Sequence, residues 1–132
     1  MSNFARMRYT FTKPERLKND KEISRLFEEG KSITVFPIRL IYLFSDGDEQ
    51  EHIKAAFTAS KRNFKKAVDR NRIKRLLRES YRLNKPQLYR SLDTKNYIFM
   101  FIYIGKEAVK MDIINQKMLQ LFDKFLSAQK QQ

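Results

Sequence analysis

The chain has 132 residues, a length that fits one compact domain, and 42% of them are hydrophobic, which is enough for a buried core. It contains no cysteine, which excludes disulfides, zinc–thiolate sites and thiol catalysis and is consistent with a reducing, cytoplasmic location. Twenty-eight Lys and Arg residues against fifteen acidic ones leave a net charge of +13, and a clustered excess of bases is typical of nucleic-acid-binding proteins.

The beginning of the chain combines an irregular segment with a short helix. Residues 1–15 carry bases and aromatics without a clear period, so we expect a flexible or loosely docked basic arm there. Residues 19–30 predict a helix, because Asn19 or Asp20 can cap its start and Gly30 can end it. The N-terminus lacks the apolar core of a signal peptide, and no apolar run is long enough to span a bilayer. We therefore expect no membrane partner.

Three strands are predicted next. Residues 32–44 are rich in apolar and aromatic side chains but are interrupted by Pro37, which indicates a short strand, a bend, and a longer strand over 38–44. An acidic loop covers 45–51. Residues 52–60 alternate apolar and polar side chains, as a half-buried strand does.

The second half of the chain predicts two helices with a strand between them. We expect the first helix over roughly 67–84, and the unbroken apolar run at 97–104 indicates a strand buried on both faces. A terminal amphipathic helix follows from apolar residues at helical spacing, namely Ile113, Ile114, Met118, Phe122 and Phe125. The order α-β-β-β-α-β-α predicts one α+β sandwich in a single domain, 1–132.

The first of these helices carries most of the charge signal. Between Lys61 and Arg78 the chain has nine bases and a single acid, Asp69. In projection, the residues within about 80° of Ile73 form the core side, namely Leu76, Leu77, Ser80, Tyr81 and Leu83. The opposite side holds Lys74, Arg78, Asn71, Arg82 and Arg75, with Arg70 and Arg72 at the flanks. The positive charges on such a face repel one another unless a polyanion neutralises them. The pattern therefore favours nucleic-acid binding over a merely solvated surface.

Several alternatives stay open on the residues alone. The charge does not distinguish RNA from DNA, and Asn71 is either a polar contact to nucleic acid or a neutral spacer that caps a turn. A protein-only nuclease would need a base or a metal site, for which His52 and the acids of 46–49 are the candidates. A structural RNA-binding protein of the ribosome and a DNA-binding regulator are the other readings.

The string RNRIKRLLRE (70–79), preceded by the basic loop SKRNFKKAVD (60–69), resembles the signature of the bacterial ribonuclease P protein family. Upstream, RLKNDKEISRLFEEGKS (16–32) is similar to the first helix of that family, and the resemblance covers roughly 16–104. It implies an α-β-β-β-α-β-α sandwich with a left-handed βαβ crossover, the ribosomal protein S5 domain 2-like fold, against the usual right-handed preference.

The resemblance also implies a function. The chain would be the protein subunit of a ribonucleoprotein, binding RNase P RNA and the 5′ leader of precursor tRNA. It would assist endonucleolytic removal of the leader, which gives the mature tRNA 5′ end. Catalysis would belong to the RNA subunit, with Mg²⁺ held largely by RNA. The protein would contribute no catalytic residue, metal ligand or cofactor of its own, and it would act as a monomer in a 1:1 complex with the RNA.

Two sets of site residues follow from the resemblance. The RNA-binding set is Lys61, Arg62, Lys65, Lys66, Arg70, Asn71, Arg72, Lys74, Arg75 and Arg78. The 5′-leader cleft set is Ile23, Phe27, Arg39, Ile41 and Thr58.

This sequence departs from the family pattern in the cleft. Ile23 and Ile41 stand where the family often has aromatic residues, Arg39 stands where an apolar residue is usual, and NFKK (63–66) replaces a glycine-containing loop. Because isoleucine cannot stack on a base as a ring does, we expect the cleft to hold the leader more through cations than through rings. The alternative for Phe27 is plain core packing.

Overall fold

The computed structural model describes residues 11, 15–45, 53–92 and 96–130. Its elements are α1 (Asp20–Glu29), β1 (Lys31–Val35), β2 (Ile38–Ser45), β3 (Ile53–Ala59), α2 (Ala67–Ser91), β4 (Asn96–Tyr103) and α3 (Met111–Lys130). This order confirms the predicted α-β-β-β-α-β-α sequence of elements. No helix in the described part of the chain is both long and apolar enough to cross a membrane.

The ends of α1 follow from two residues that the sequence singles out. The side-chain oxygen of Asn19 accepts hydrogen bonds from the backbone N–H groups of Lys21 (2.9 Å) and Glu22 (3.3 Å), which confirms the predicted N-cap. At the other end, a Cβ on Gly30 would lie 2.3 Å from the carbonyl oxygen of Leu26 and 2.9 Å from the Ile41 side chain. Only glycine therefore lets the chain leave the helix this close to the sheet.

The four strands form one mixed sheet in the order β1-β2-β4-β3. β2 pairs antiparallel with β1 and with β4, whereas β3 pairs parallel with β4. The central position of β4 explains its continuous apolar run, because both its faces are covered. α2 and α3 cover one face of the sheet, and α1 covers the opposite face.

α2 is longer than the sequence predicts. It continues to Ser91, through Pro86, whereas the sequence predicts an end near residue 84. A proline inside a helix costs about 3 kcal/mol because one backbone hydrogen bond is lost. Pro86, Leu88 and Tyr89 are all buried in the last turns. Burying a side chain of this size stabilises the fold by about 1.5–3 kcal/mol, which offsets the cost of the proline.

Two predicted core positions are wrong. Leu83 on α2 is 43% exposed and Ile113 on α3 is 38% exposed. Leu83 lies at the edge of the apolar stripe, about 80° from its centre, and Ile113 is turned about 100° away from the buried Ile114. Residues at such edges are covered only where a neighbouring element happens to reach them.

The structure describes two residues of the segment 1–15, for which the sequence predicts a flexible or loosely docked arm. The ring of Phe11 packs edge-on against Phe57 (5.6 Å between centroids) and against Tyr81 (5.9 Å). Immediately after Glu15, Arg16 pairs with Ala55 on the outer side of β3. The described residues ahead of α1 are therefore part of the packed fold.

Glu15 makes the most buried polar contact of this segment. It is 1% exposed and pairs with Lys85, which is 0% exposed, on the late part of α2. The hydroxyl of Tyr89 donates a hydrogen bond to the same carboxylate oxygen at 3.1 Å, and burial raises the pKa of Tyr89 so that it stays protonated. The acidic loop over 45–51 and His52 lie outside the described residues, apart from Ser45 at the end of β2.

We predict that Lys85→Met and Glu15→Gln each lower the free energy of unfolding by about 3–5 kcal/mol, because each leaves an uncompensated charge in the core. The double variant carries no such charge and is expected to recover at least half of the larger loss. Denaturant unfolding of the four proteins measures the coupling. Additive losses would show that the two side chains do not stabilise each other.

Candidate nucleic-acid interface

α2 presents a basic surface because its other side is fixed in the core. Ile73, Leu77 and Tyr81 are at most 1% exposed. Asn71, Arg72, Arg75 and Arg78 are exposed and Lys74 is half-buried, so the structure confirms the projected orientation of the helix. We call this set of five residues the α2 ridge.

Among the described residues, an ion pair on α2 lies just beyond the C-terminal end of the α2 ridge. There Arg82 donates a hydrogen bond to Glu79 at 2.7 Å. This hydrogen bond, together with the charges of Arg82 and Arg78, holds the pKa of the Glu79 carboxyl below its usual value, against the opposing effect of desolvation. Within the described part of the chain, no carboxylate forms an ion pair with Arg72 or Arg75. The ridge is therefore a continuous cationic surface.

The three residues at the centre of the motif do not share one environment. Arg70 is half-buried, and its Nη1 donates hydrogen bonds to the backbone carbonyls of Phe64 (2.8 Å) and Lys65 (3.0 Å). Asn71 and Arg72 are exposed. Asn71 is not a cap, since the helix starts at Ala67 and Asn71 is its fifth residue. The structure thus separates an inward arginine from two outward side chains.

The loop between β3 and α2 adds four exposed bases at one end of the sheet. Lys61, Arg62, Lys65 and Lys66 all point to solvent, and we call residues 60–66 the basic loop. Its one buried side chain, Phe64, packs against the ring of Tyr103 at the end of β4, with 5.7 Å between centroids. The basic loop continues directly into α2, so its bases and the α2 ridge form one surface.

The five residues of the predicted cleft lie on the opposite face of the sheet, where α1 packs. Arg39 on β2 and Thr58 on β3 both pair with Ile102 of β4, which places them in one row across the sheet. Ile41 is buried beneath α1, 8% exposed, and forms the floor of this face. Ile23 of α1 packs against the same apolar cluster.

Phe27 and Arg39 are both exposed to solvent on this face. Phe27 is 55% exposed, which contradicts the core-packing alternative for this residue. Arg39 is exposed as the second residue of the largely hydrophobic strand β2. Lys54 of β3 also lies here, and its Nζ is 3.4 Å from a carboxylate oxygen of Glu22, so its charge is partly compensated.

Sequence reasoning missed the inward role of Arg70. The signal was present in the projection, where Arg70 lies only about 60° from the buried Ile73 while the exposed Asn71 lies about 160° away. The buried Glu15–Lys85 pair was also missed, and no sequence signal indicates it, since the two residues are 70 positions apart.

No metal site is evident in the described ranges 15–45, 53–92 and 96–130, where no three His, Cys, Asp or Glu side chains lie close enough together to hold an ion. The two candidates for nuclease chemistry, His52 and the acids of 46–49, lie outside the described residues. The described surface is thus rich in donors for phosphate and lacks a ligand set for a cation.

Comparisons with known proteins agree with this arrangement. Residues 11–126 match the family model of ribonuclease P. The ribonuclease P protein component of Porphyromonas gingivalis (strain ATCC 33277) is 40% identical over 77 residues, which cover 58% of this chain and 56% of that protein. The component from Dictyoglomus turgidum is 29% identical over 118 residues, covering 88% of this chain and 92% of that protein. The chain therefore spans just over half the length of the first relative and nearly all of the second.

Solved structures show the same fold. The RNase P protein from Thermotoga maritima superposes with a TM-score of 0.66 at 24% identity, covering 83% of this chain and 96% of that one. Since the family model matches most of the chain, from Phe11 into the last turns of α3, this protein belongs to the ribonuclease P protein family.

Proposed function

We propose that this chain is the protein subunit of a ribonuclease P ribonucleoprotein. In this role it binds the catalytic RNA and the 5′ leader of precursor tRNA, and it assists endonucleolytic removal of the leader to give the mature tRNA 5′ end. The protein acts as a monomer in a 1:1 complex with the RNA. The chemical step belongs to the RNA, with Mg²⁺ held largely by RNA.

The observation that carries this proposal is the α2 ridge on a chain of this family. Arg72, Arg75 and Arg78 point outward from a helix whose other side is anchored in the core, and the basic loop extends their surface. Arginine suits this task because its planar guanidinium can donate two parallel hydrogen bonds to a phosphate and stays charged at any physiological pH. The exposed Asn71 adds a neutral amide that can donate to and accept from a ribose hydroxyl or a base edge.

The two faces of the sheet support two different RNA contacts. The α2 ridge belongs to the face covered by α2 and α3, whereas Phe27 and Arg39 belong to the face covered by α1. The basic loop starts directly after β3, on which Thr58 lies, and ends at the start of α2. We assign the catalytic RNA to the α2 ridge and the leader to the α1 face, with the basic loop between them.

The contribution of the protein is electrostatic and positional. Bringing two polyanions together is opposed by their mutual repulsion, and bases held on a rigid helix lower that repulsion without a new ordering cost. The described residues offer no ligand set for Mg²⁺, so no step of the reaction is assigned to a metal on the protein. We infer that the chain raises the affinity of the RNA for its substrate and reduces the concentration of Mg²⁺ that the RNA requires.

Reconstitution tests the proposal. At low Mg²⁺, we expect RNase P RNA to cleave precursor tRNA at the 5′ end of the mature sequence efficiently only when this chain is added, while at high Mg²⁺ the difference narrows. Cleavage by the protein in the absence of RNA would overturn the assignment of chemistry to the RNA. Purification of the protein with ribosomal RNA or duplex DNA, in place of one abundant structured RNA, would favour one of the other functions.

We predict that Arg75→Ala and Arg78→Ala each weaken binding to RNase P RNA and reduce the slope of log affinity against log salt concentration by roughly 0.7–1, because each removes one phosphate contact. The matched control is Lys124→Ala, which removes an exposed charge from α3, outside the α2 ridge. Filter binding over a series of salt concentrations measures the slopes. Equal slopes for the wild type, the two arginine variants and the Lys124→Ala control would show that these arginines do not contact the RNA backbone.

We predict that Arg39→Ala weakens binding of precursor tRNA to the holoenzyme about tenfold, and only for substrates that carry a leader. Phe27→Ala is expected to have a smaller effect, because the described residues that form the apolar cluster of this face include no further ring with which a base could stack. Affinities for a series of leader lengths test this, with Phe44→Ala as the control for an exposed ring that lies against Tyr97 instead. A larger loss for Phe27→Ala at every length would refute binding through cations.

A further inference from the structure

The guanidinium of Arg70 makes different contacts from those of the other arginines of its motif. Both hydrogens of its Nη1 point to backbone carbonyls, those of Phe64 at 2.8 Å and Lys65 at 3.0 Å. A carbonyl is a weaker partner than the phosphate that an exposed arginine would meet, and a cation in the first turns of a helix is opposed by the helix dipole. That Arg70 nevertheless lies half-buried here indicates that these two bonds define its position.

We expect the basic loop to be less ordered when Arg70 is absent. Four exposed cations within six residues repel one another, and the loop has only one buried apolar anchor, Phe64. Its own hydrogen bonds hold its first half: the N–H of Phe64 donates to the carbonyl of Ser60 (3.0 Å), and the side-chain amide of Asn63 donates to the carbonyl of Ile104 (3.2 Å). Phe64 lies at the boundary between the two halves, because Arg70 donates to its carbonyl. Loss of Arg70 therefore releases the residues from Phe64 to the helix and weakens the hydrogen bond of the Phe64 N–H as well.

We propose that Arg70 is a positioning residue, which fixes the basic loop in its RNA-binding arrangement and does not itself contact phosphate. The inference rests on the proposed RNA-binding function. The residues of the motif then have different roles, since Arg70 orders the loop while Asn71 and Arg72 face the RNA. A guanidinium is suited to this role because one nitrogen can donate to two neighbouring carbonyls in a fixed plane, whereas the ammonium of lysine is a flexible point charge.

The consequence for binding is a matter of entropy. Ordering a loop of this kind at the moment of binding would cost conformational entropy and therefore affinity. Arg70 removes part of that cost beforehand by ordering the backbone that carries Lys65 and Lys66. A variant at this position is therefore expected to lose affinity together with the order of the loop even when its charge is retained, whereas a phosphate contact predicts a loss of affinity with the loop unchanged.

The experiment compares Arg70→Lys and Arg70→Met with Arg72→Lys and Arg72→Met in two measurements. Amide hydrogen exchange of the free protein reports the order of the basic loop through the N–H of Phe64, and the N–H of Leu77 inside α2 controls for the overall fold. Affinity for RNase P RNA as a function of salt reports the number of phosphate contacts.

We expect both Arg70 variants to speed exchange at Phe64 about tenfold, with Leu77 unchanged, and Arg70→Lys to weaken RNA binding about tenfold at an unaltered salt slope. Arg72→Met is expected to reduce the slope by roughly 0.7–1 and to leave Phe64 protected.

A reduction of the slope by Arg70→Met as large as that by Arg72→Met, with Phe64 still protected, would identify Arg70 as a phosphate contact and overturn the proposal. Faster exchange at Phe64 in Arg70→Lys without any loss of affinity would also overturn it, because loop order would then not contribute to binding. Exchange is measured on the free protein, so a failure of the wild-type chain to bind RNA would refute the proposed function separately. Arg70→Lys keeps the charge and provides the test if Arg70→Met does not fold.

Discussion

The packing of one ring, that of Tyr81, joins the parts of this protein on which its function depends. Tyr81 lies on α2, and its ring contacts Phe57 of β3 (5.6 Å between centroids) and Phe101 of β4 (5.4 Å). On its other sides it meets Phe122 of α3 (6.2 Å) and Phe11 of the segment before α1 (5.9 Å). This contact fixes the rotation of α2 about its axis, and the rotation decides which of the helix residues face outward.

Because the rotation of α2 is fixed, its basic side chains are held together on one exposed surface. Like charges on one helix face destabilise the free protein, and the loss has to be offset by burial on the opposite side, here at Ile73, Leu77 and Tyr81. A rigid charged surface then meets RNA with little further loss of conformational entropy. The same logic extends to the basic loop, which is held by Phe64 and Arg70 and not by packing alone.

Much of the fold could be predicted because its signals are local. Asn19 and Gly30 delimit α1 through contacts within a few residues, and the continuous apolar run of β4 reflects its central place in the sheet. Predictions failed where distant residues decide the outcome. Pro86 remains helical because its surroundings are buried, and the position of Phe11 depends on the rings of Phe57 and Tyr81, which are far away in the sequence.

The sequence by itself determined the order of the elements, the two-sided character of α2 and the placement of its bases on one side, because each depends on spacing along the chain. Only the tertiary structure decided that Phe27 is exposed while Ile41 is buried, that Glu15 meets Lys85 across 70 positions, and that Arg70 turns inward to two carbonyls. The physical reason is the same in each case. Burial and hydrogen-bond partners are properties of the space around a side chain, and that space is filled by residues far away in the sequence.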